Sequence, residues 1–148
     1  MNITDFKYAI LEYTRKINEN TNKFLNPIFA EHGLTMLQGR ILMELYLFGR
    51  HTIGNLAESV NAAGTNVSSM CKKLEEMGYL DRVRDRNDER IVQVDLTEKG
   101  REILKKINEK LNELISNAFS KEGEETYNEI VRGLEKLNKI LERIVSID

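Results

Sequence analysis

The sequence predicts a mainly α protein in which one two-stranded β ribbon interrupts a series of helices. Three observations carry this reading. The 148 residues include one Pro and nine Gly, too little turn chemistry for a many-stranded sandwich or barrel. Apolar residues recur at helical spacing along most of the chain, and the period falls to two only between Leu80 and Leu96. Capping residues stand where most of the helical runs begin.

Composition bounds the function. With 41% hydrophobic and 31% charged residues, the chain suits one packed domain and excludes a disordered tail or a multidomain enzyme. The 22 Lys and Arg against 24 Asp and Glu give a formal charge of -2, so bulk charge attracts neither nucleic acid nor an anionic membrane. Any polyanion contact has to come from local placement. Cys71 is the single cysteine and cannot form an internal disulfide; with no long apolar run or signal core, a cytoplasmic location is expected.

Taking the elements in order, Phe6, Ile10, Tyr13, Ile17, Phe24 and Ile28 form a narrow stripe on a long first helix, as at a helix pairing seam. Asn26 and Pro27 predict a kink or a restart that ends by Gly33. Thr35 and Gln38 make a capping box for a helix that turns Leu37, Ile41, Leu45 and Phe48 inward and stops at Gly49. Thr52 caps a short helix with Ile53, Leu56, Ala57 and Val60. After Asn61 to Gly64, a further helix carries Val67, Met70, Cys71, Leu74 and Met77 and ends at Gly78. Leu80 to Arg84 and Val92, Val94 and Leu96 read as strands joined by a polar tip, Asp85 to Glu89. Thr97 caps a long helix with Ile103, Leu104, Ile107, Leu111, Leu114, Ile115 and Ala118. Ser120, followed by Glu122, Glu124 and Glu125, predicts the start of a last helix. Its Tyr127, Ile130, Leu134, Leu137, Leu141 and Ile144 approach a heptad repeat that needs a helical partner.

Helix, short helix, tight link, helix and ribbon is the order of a winged helix-turn-helix, which offers its last helix to the DNA major groove. With the apolar stripe inward, the outer face shows Thr65, Asn66, Ser69, Lys72 and Lys73, with Ser68 at the boundary. Asn matches an adenine edge, Ser and Thr bases or phosphates, and Lys guanine or phosphate oxygens. The ribbon adds Arg82, Arg84, Arg86 and Arg90, and a tip arginine suits a minor groove. From Gly64 to Arg90 six bases meet six acids, so position carries the signal and the count does not. The helix face equally suits plain solvation, and the arginines suit pairing with Asp81, Asp85, Asp88 and Glu89. Asp88 is expected to hold Arg90 while Arg84 and Arg86 stay free.

Gly33-Leu34-Thr35, Gln38, Ile41-Leu42, Thr52-Ile53, Leu56-Ala57 and Val67-Ser68 resemble the MarR family of transcription regulators. The resemblance sharpens over Lys73 to Arg82 and at Asp85, Asp88, Arg90 and Leu96-Thr97-Glu98-Lys99-Gly100, and it extends in element order over the whole chain. It implies a single MarR-like domain, residues 1–148. Residues 1–33 and 101–148 would form a helical dimerisation region, and 34–100 the winged DNA-binding lobe. It also implies a homodimer on a pseudo-palindromic operator in double-stranded DNA, acting as a repressor. By motif, Thr65, Asn66, Ser68, Ser69, Lys72 and Lys73 fall on the recognition helix and Arg82, Arg84 and Arg86 on the wing, with Asp88 and Arg90 as wing support. Ala63 and Gly64 stand where the family often has a Ser or Thr cap and a Pro. Glu89 stands where Arg is frequent and Arg86 where Pro is, so the minor-groove contact passes to Arg86.

Many relatives release DNA when a small aromatic or lipophilic molecule wedges between dimer and DNA-binding parts. The resemblance therefore implies such an effector, and Arg15, Phe29, Met36 and Tyr46 are the candidate lining, with core packing as their other role. Lys72 and Lys73 beside Cys71 raise a thiol-based redox reading, but its helical phase is that of Val67 and Leu74, which predicts a buried, inert thiol. A dimeric winged-helix interaction module without DNA affinity is the other alternative. His32 and His51 with one cysteine make no metal set, no cofactor motif is present, and no catalytic spacing marks an enzyme.

Overall fold

Caps written into the sequence set most of the element ends. In the computed structural model, which describes residues 1–147, the order is α1 (Ile3–Glu31), α2 (Met36–Phe48), β1 (His51–Thr52), α3 (Ile53–Ser59), α4 (Gly64–Glu76), β2 (Leu80–Arg84), β3 (Val92–Leu96), α5 (Glu98–Ala118) and α6 (Glu124–Val145). The fold is mainly helical with a small antiparallel wing, as the sequence predicts. Thr35 and Gln38 form the reciprocal capping box, at 3.2 and 2.9 Å, and Thr52 accepts the N–H of Asn55 at 3.1 Å. Thr97 accepts that of Gly100 at 3.1 Å at the start of α5.

Pro27 does not restart the first helix. α1 continues through it to Glu31. Proline lacks the N–H that would bond the Lys23 carbonyl, a cost of about 3 kcal/mol in a helix interior. Directly after it, Ile28 and Phe29 are 4% and 1% exposed, and burying two such side chains returns about 1.5–3 kcal/mol each. Asn26 is an interior helical residue, so it caps nothing.

The chain forms two units, one from Met1 to Lys110 and one from Leu111 on. In the first, Phe29, Ile41, Leu42, Leu45, Leu56, Val67, Leu74, Leu80 and Val94 are fully buried. Gly39 lets α2 lie against Phe29: a Cβ there would sit 2.4 Å from the ring. Phe48, expected inward, is 69% exposed because it is the last residue of α2, beyond the reach of the core.

The sheet has three strands in the order β1-β3-β2. β2 and β3 pair from Leu80↔Leu96 to Arg84↔Val92, and the added β1 pairs His51↔Val94 and Thr52↔Gln93. Two residues carry no readable period, which is why the pattern predicts a two-stranded ribbon. His51 is held between the Gly49 carbonyl, 2.7 Å from Nδ1, and Glu44, 3.5 Å from Nε2.

In the second unit, Ser120 does not open the last helix. Its hydroxyl donates to the Asn117 carbonyl at 2.9 Å and closes the end of α5. α6 starts three residues later with Gly123 at the cap and Glu124 and Glu125 in its first turn, where their charge suits the positive helix end. Phe119 and Tyr127 meet across this turn with ring centroids 4.9 Å apart and planes tilted by 41°. α6 buries none of its residues.

Candidate nucleic-acid interface

α3 and α4 are joined by a turn in which Asn61 takes the left-handed conformation, φ 51, and Ala62 N–H closes on the Ala57 carbonyl at 3.0 Å. α4 then starts without a side-chain cap, because Ala63 occupies the cap position. Val67, Cys71 and Leu74, one stripe of α4, are 0% exposed. That stripe rotates Thr65, Asn66, Ser69, Lys72 and Lys73 outward, all exposed, with Ser68 half-buried at the edge. This face carries no acid before Glu75 and Glu76 at the far end.

The wing tip is built by its own acids. Asp85 Oδ1 accepts the N–H groups of Asn87 and Asp88 at 2.7 and 3.2 Å. Asp88 holds Arg90 through its backbone N–H at 3.1 Å, Nε at 3.1 Å and Nη2 at 3.3 Å. The hydrogen bonds from Arg90 keep the Asp88 carboxyl below its ordinary value. Arg86 projects from this loop, exposed. Arg84 is not wholly free: its Nη1 donates to the Glu89 carbonyl at 3.2 Å across the hairpin.

Arg82 lies elsewhere than the tip. Its side chain is 22% exposed, Nη1 stands 3.9 Å from Glu75 Oε2 on α4, and Nε is buried without a partner. Ser68, Arg82 and Arg90 line one concavity of about 430 Å3, so the wing and α4 meet there. Burial pushes the adjoining Cys71 thiol up to about 11, with Arg82 pulling it down and Glu75 raising it less strongly. Sequence reasoning passed over Arg50, which shares a cleft with Arg84 and Arg86; as a lone residue between Gly49 and a two-residue strand, it has no periodic signal.

The four candidate effector-lining residues do not converge within one protomer. Arg15 and Phe29 lie fourteen positions apart on the continuous α1, about 21 Å along its axis at 1.5 Å per residue. Phe29 is packed on Gly39, while Met36 and Tyr46 are half-buried on α2. Among the described residues, no group of three or more His, Cys, Asp or Glu is placed to hold a metal ion, and no helix is long and apolar enough to cross a membrane.

Comparison with known proteins bears on this geometry. The family model described as transcriptional regulator SarA/Rot matches residues 23–107, more than half of the chain. The fold is that of a MarR family protein from Bacillus stearothermophilus, with a TM-score of 0.80 and 25% identity over 95% of this chain and 98% of that one. The chain belongs to the MarR family of winged helix-turn-helix regulators. The MarR fold also relates it to the transcriptional regulator BldR from Sulfolobus solfataricus, at 30% identity and a TM-score of 0.79 over 97% and 99% of the two chains. Among curated MarR-type relatives, the HTH-type transcriptional regulator SarZ of Staphylococcus epidermidis is 33% identical over 98 residues. That match spans 66% of each chain, just under two thirds of SarZ. Family and structural homology thus make this a MarR-type transcriptional regulator.

Proposed function

We propose that this MarR-family regulator binds a pseudo-palindromic operator as a homodimer, with α4 of each protomer in a major groove and Arg86 of each wing tip in the flanking minor groove. The observation that carries it is the exposed, acid-free face of α4 from Thr65 to Lys73. Asn66, Ser68, Ser69, Lys72 and Lys73 read base edges or phosphates there, and Arg84 contacts the backbone. Arg82 braces wing against helix through Glu75.

Residues 1–33 and 101–148 act as the dimerisation region around the 34–100 lobe. In support, Ile3, Leu11, Ile17 and Phe24 on α1 are 41 to 80% exposed, and Ile130, Leu134, Leu141 and Ile144 on α6 are 40 to 60% exposed. Apolar surface of this kind marks an association face. Two lobes reach successive major grooves when about 34 Å apart, so the dimer sets half-site spacing. Occupying a promoter in this way represses it, and a small aromatic or lipophilic effector that changes the spacing releases it. A coupling of about 1–3 kcal/mol shifts operator affinity some 5- to 150-fold.

Fluorescence anisotropy with the protein's own upstream promoter, against scrambled duplex at matched salt, tests the reading. Specific binding about 10³-fold or more tighter is expected; equal, weak binding to both overturns it. Thermal stabilisation by a panel of phenolic and lipophilic compounds tests the effector.

A further inference from the structure

Arg50, Arg84 and Arg86 line one cleft of about 430 Å3 beside the wing tip, together with Asp85 and Gln93. We propose that this cleft is a second DNA contact, a seat for one backbone phosphate bordering the minor groove, with Arg50 as its anchor outside the hairpin. The proposal rests on the DNA-binding reading above.

Three arginines and one acid line the cleft, and that acid's Oδ1, on Asp85, is already engaged by the N–H groups of Asn87 and Asp88. Arg50 Nε stands 3.6 Å from Asp95 Oδ2, a long, half-exposed approach that a phosphodiester can displace. Asp95 has other partners: Arg101 Nη2 at 3.3 Å and the Leu96 N–H at 2.8 Å. Both of these bind Oδ1, so Asp95 keeps two partners when Arg50 turns from Oδ2 to a phosphate. Arg84 spends Nη1 on the Glu89 carbonyl and keeps Nη2.

Position is set by the strand that the sequence pattern missed. β1 begins one residue after Arg50 and pairs with β3 through His51↔Val94, which ties Arg50 to the same sheet as the hairpin. A phosphate gripped here fixes how the tip stands in the groove; it carries no sequence information of its own.

Salt dependence of binding is the test, measured for wild type, Arg50→Ala and Arg50→Lys on operator and scrambled duplex. Each phosphate contact contributes about 0.9 to the slope of log affinity on log salt, so losing one per protomer makes the slope of the dimer shallower by about 1.8. Arg50→Ala is then expected to lose about tenfold less affinity than wild type between about 50 and 200 mM salt, equally on both duplexes. Arg50→Lys, which keeps the charge, is expected to restore the slope. A wild-type slope in Arg50→Ala, or an Arg50→Lys slope as shallow as that of Ala, overturns the phosphate seat while operator binding stands. Wild-type protein that does not distinguish operator from scrambled duplex overturns both readings.

Discussion

The Thr97 hydroxyl donates to the carbonyl oxygen of Gly78 at 2.6 Å, joining the start of α5 to the residues that end the recognition helix. Thr97 N–H bonds the Tyr79 carbonyl at 3.1 Å, and Lys99 Nζ reaches the Met77 carbonyl at 2.9 Å while lying 5.0 Å from the centre of the Tyr79 ring. The first turn of α5 thus grips three successive residues beyond α4. Thr97→Val keeps the shape but loses both this bond and the helix cap. We expect a loss of about 1–3 kcal/mol in urea unfolding. A change under about 0.5 kcal/mol contradicts the latch.

Two glycines sit where a methyl group has no room. Gly→Ala inside a helix normally gains about 1 kcal/mol. A Cβ at Gly100, however, would lie 2.0 Å from the Tyr79 carbonyl oxygen, and one at Gly39 2.4 Å from the Phe29 ring. Backbone yields less readily than a ring, so Gly100→Ala is expected to cost about 3 kcal/mol or more and Gly39→Ala about 1–3 kcal/mol. At about 2–4 °C per kcal/mol, calorimetry should show Gly100→Ala melting at least about 6 °C lower. A melting point at or above wild type refutes the close approach.

α4 lacks a side-chain cap, and Ala63 already has the extended geometry of one, φ -65 and ψ 138. Ala63→Ser is expected to stabilise the protein by about 1 kcal/mol and to slow amide exchange in the first turn of α4. Unchanged exchange there would show that the serine does not cap.

Arg86→Ala should weaken operator binding and reduce the salt slope by about 1 per protomer. Titration at three or more salt concentrations checks this. Parallel lines for wild type and variant would place the wing tip off the DNA.

Cys71 is 0% exposed, and burial pushes its thiol up to about 11, so it stays protonated at neutral pH. Because only the thiolate is a good nucleophile, Ellman's reagent should leave the folded protein unmodified and titrate one thiol after unfolding. Cys71→Ser should leave operator binding under peroxide unaltered. Prompt labelling of the native protein would reopen the redox reading.

Local chemistry was legible wherever it is settled within a turn of chain. The Thr35–Gln38 box, the Thr52 and Thr97 caps and the Asp88–Arg90 pair all join residues within three positions of each other. The Val67, Cys71 and Leu74 stripe follows from helical period alone and fixes which face of α4 is outward. What escaped depends on distant partners. β1 exists only because β3 lies beside it, and Arg82 is drawn to Glu75 when β2 packs against α4. Pro27 stays helical while Ile28 and Phe29 beyond it are buried, Phe29 against Gly39 of α2.

By itself the sequence determined a mainly α winged helix-turn-helix, its caps and the polar face of its recognition helix, since period and capping act within about one turn. Tertiary structure alone decided which charges remain available. It turned Arg82 inward, tied Arg84 to Glu89, left Arg86 exposed and brought Arg50 beside it. The physical reason is that a guanidinium on a long side chain takes whichever oxygens packing brings within reach, and spacing along the chain does not record that neighbourhood.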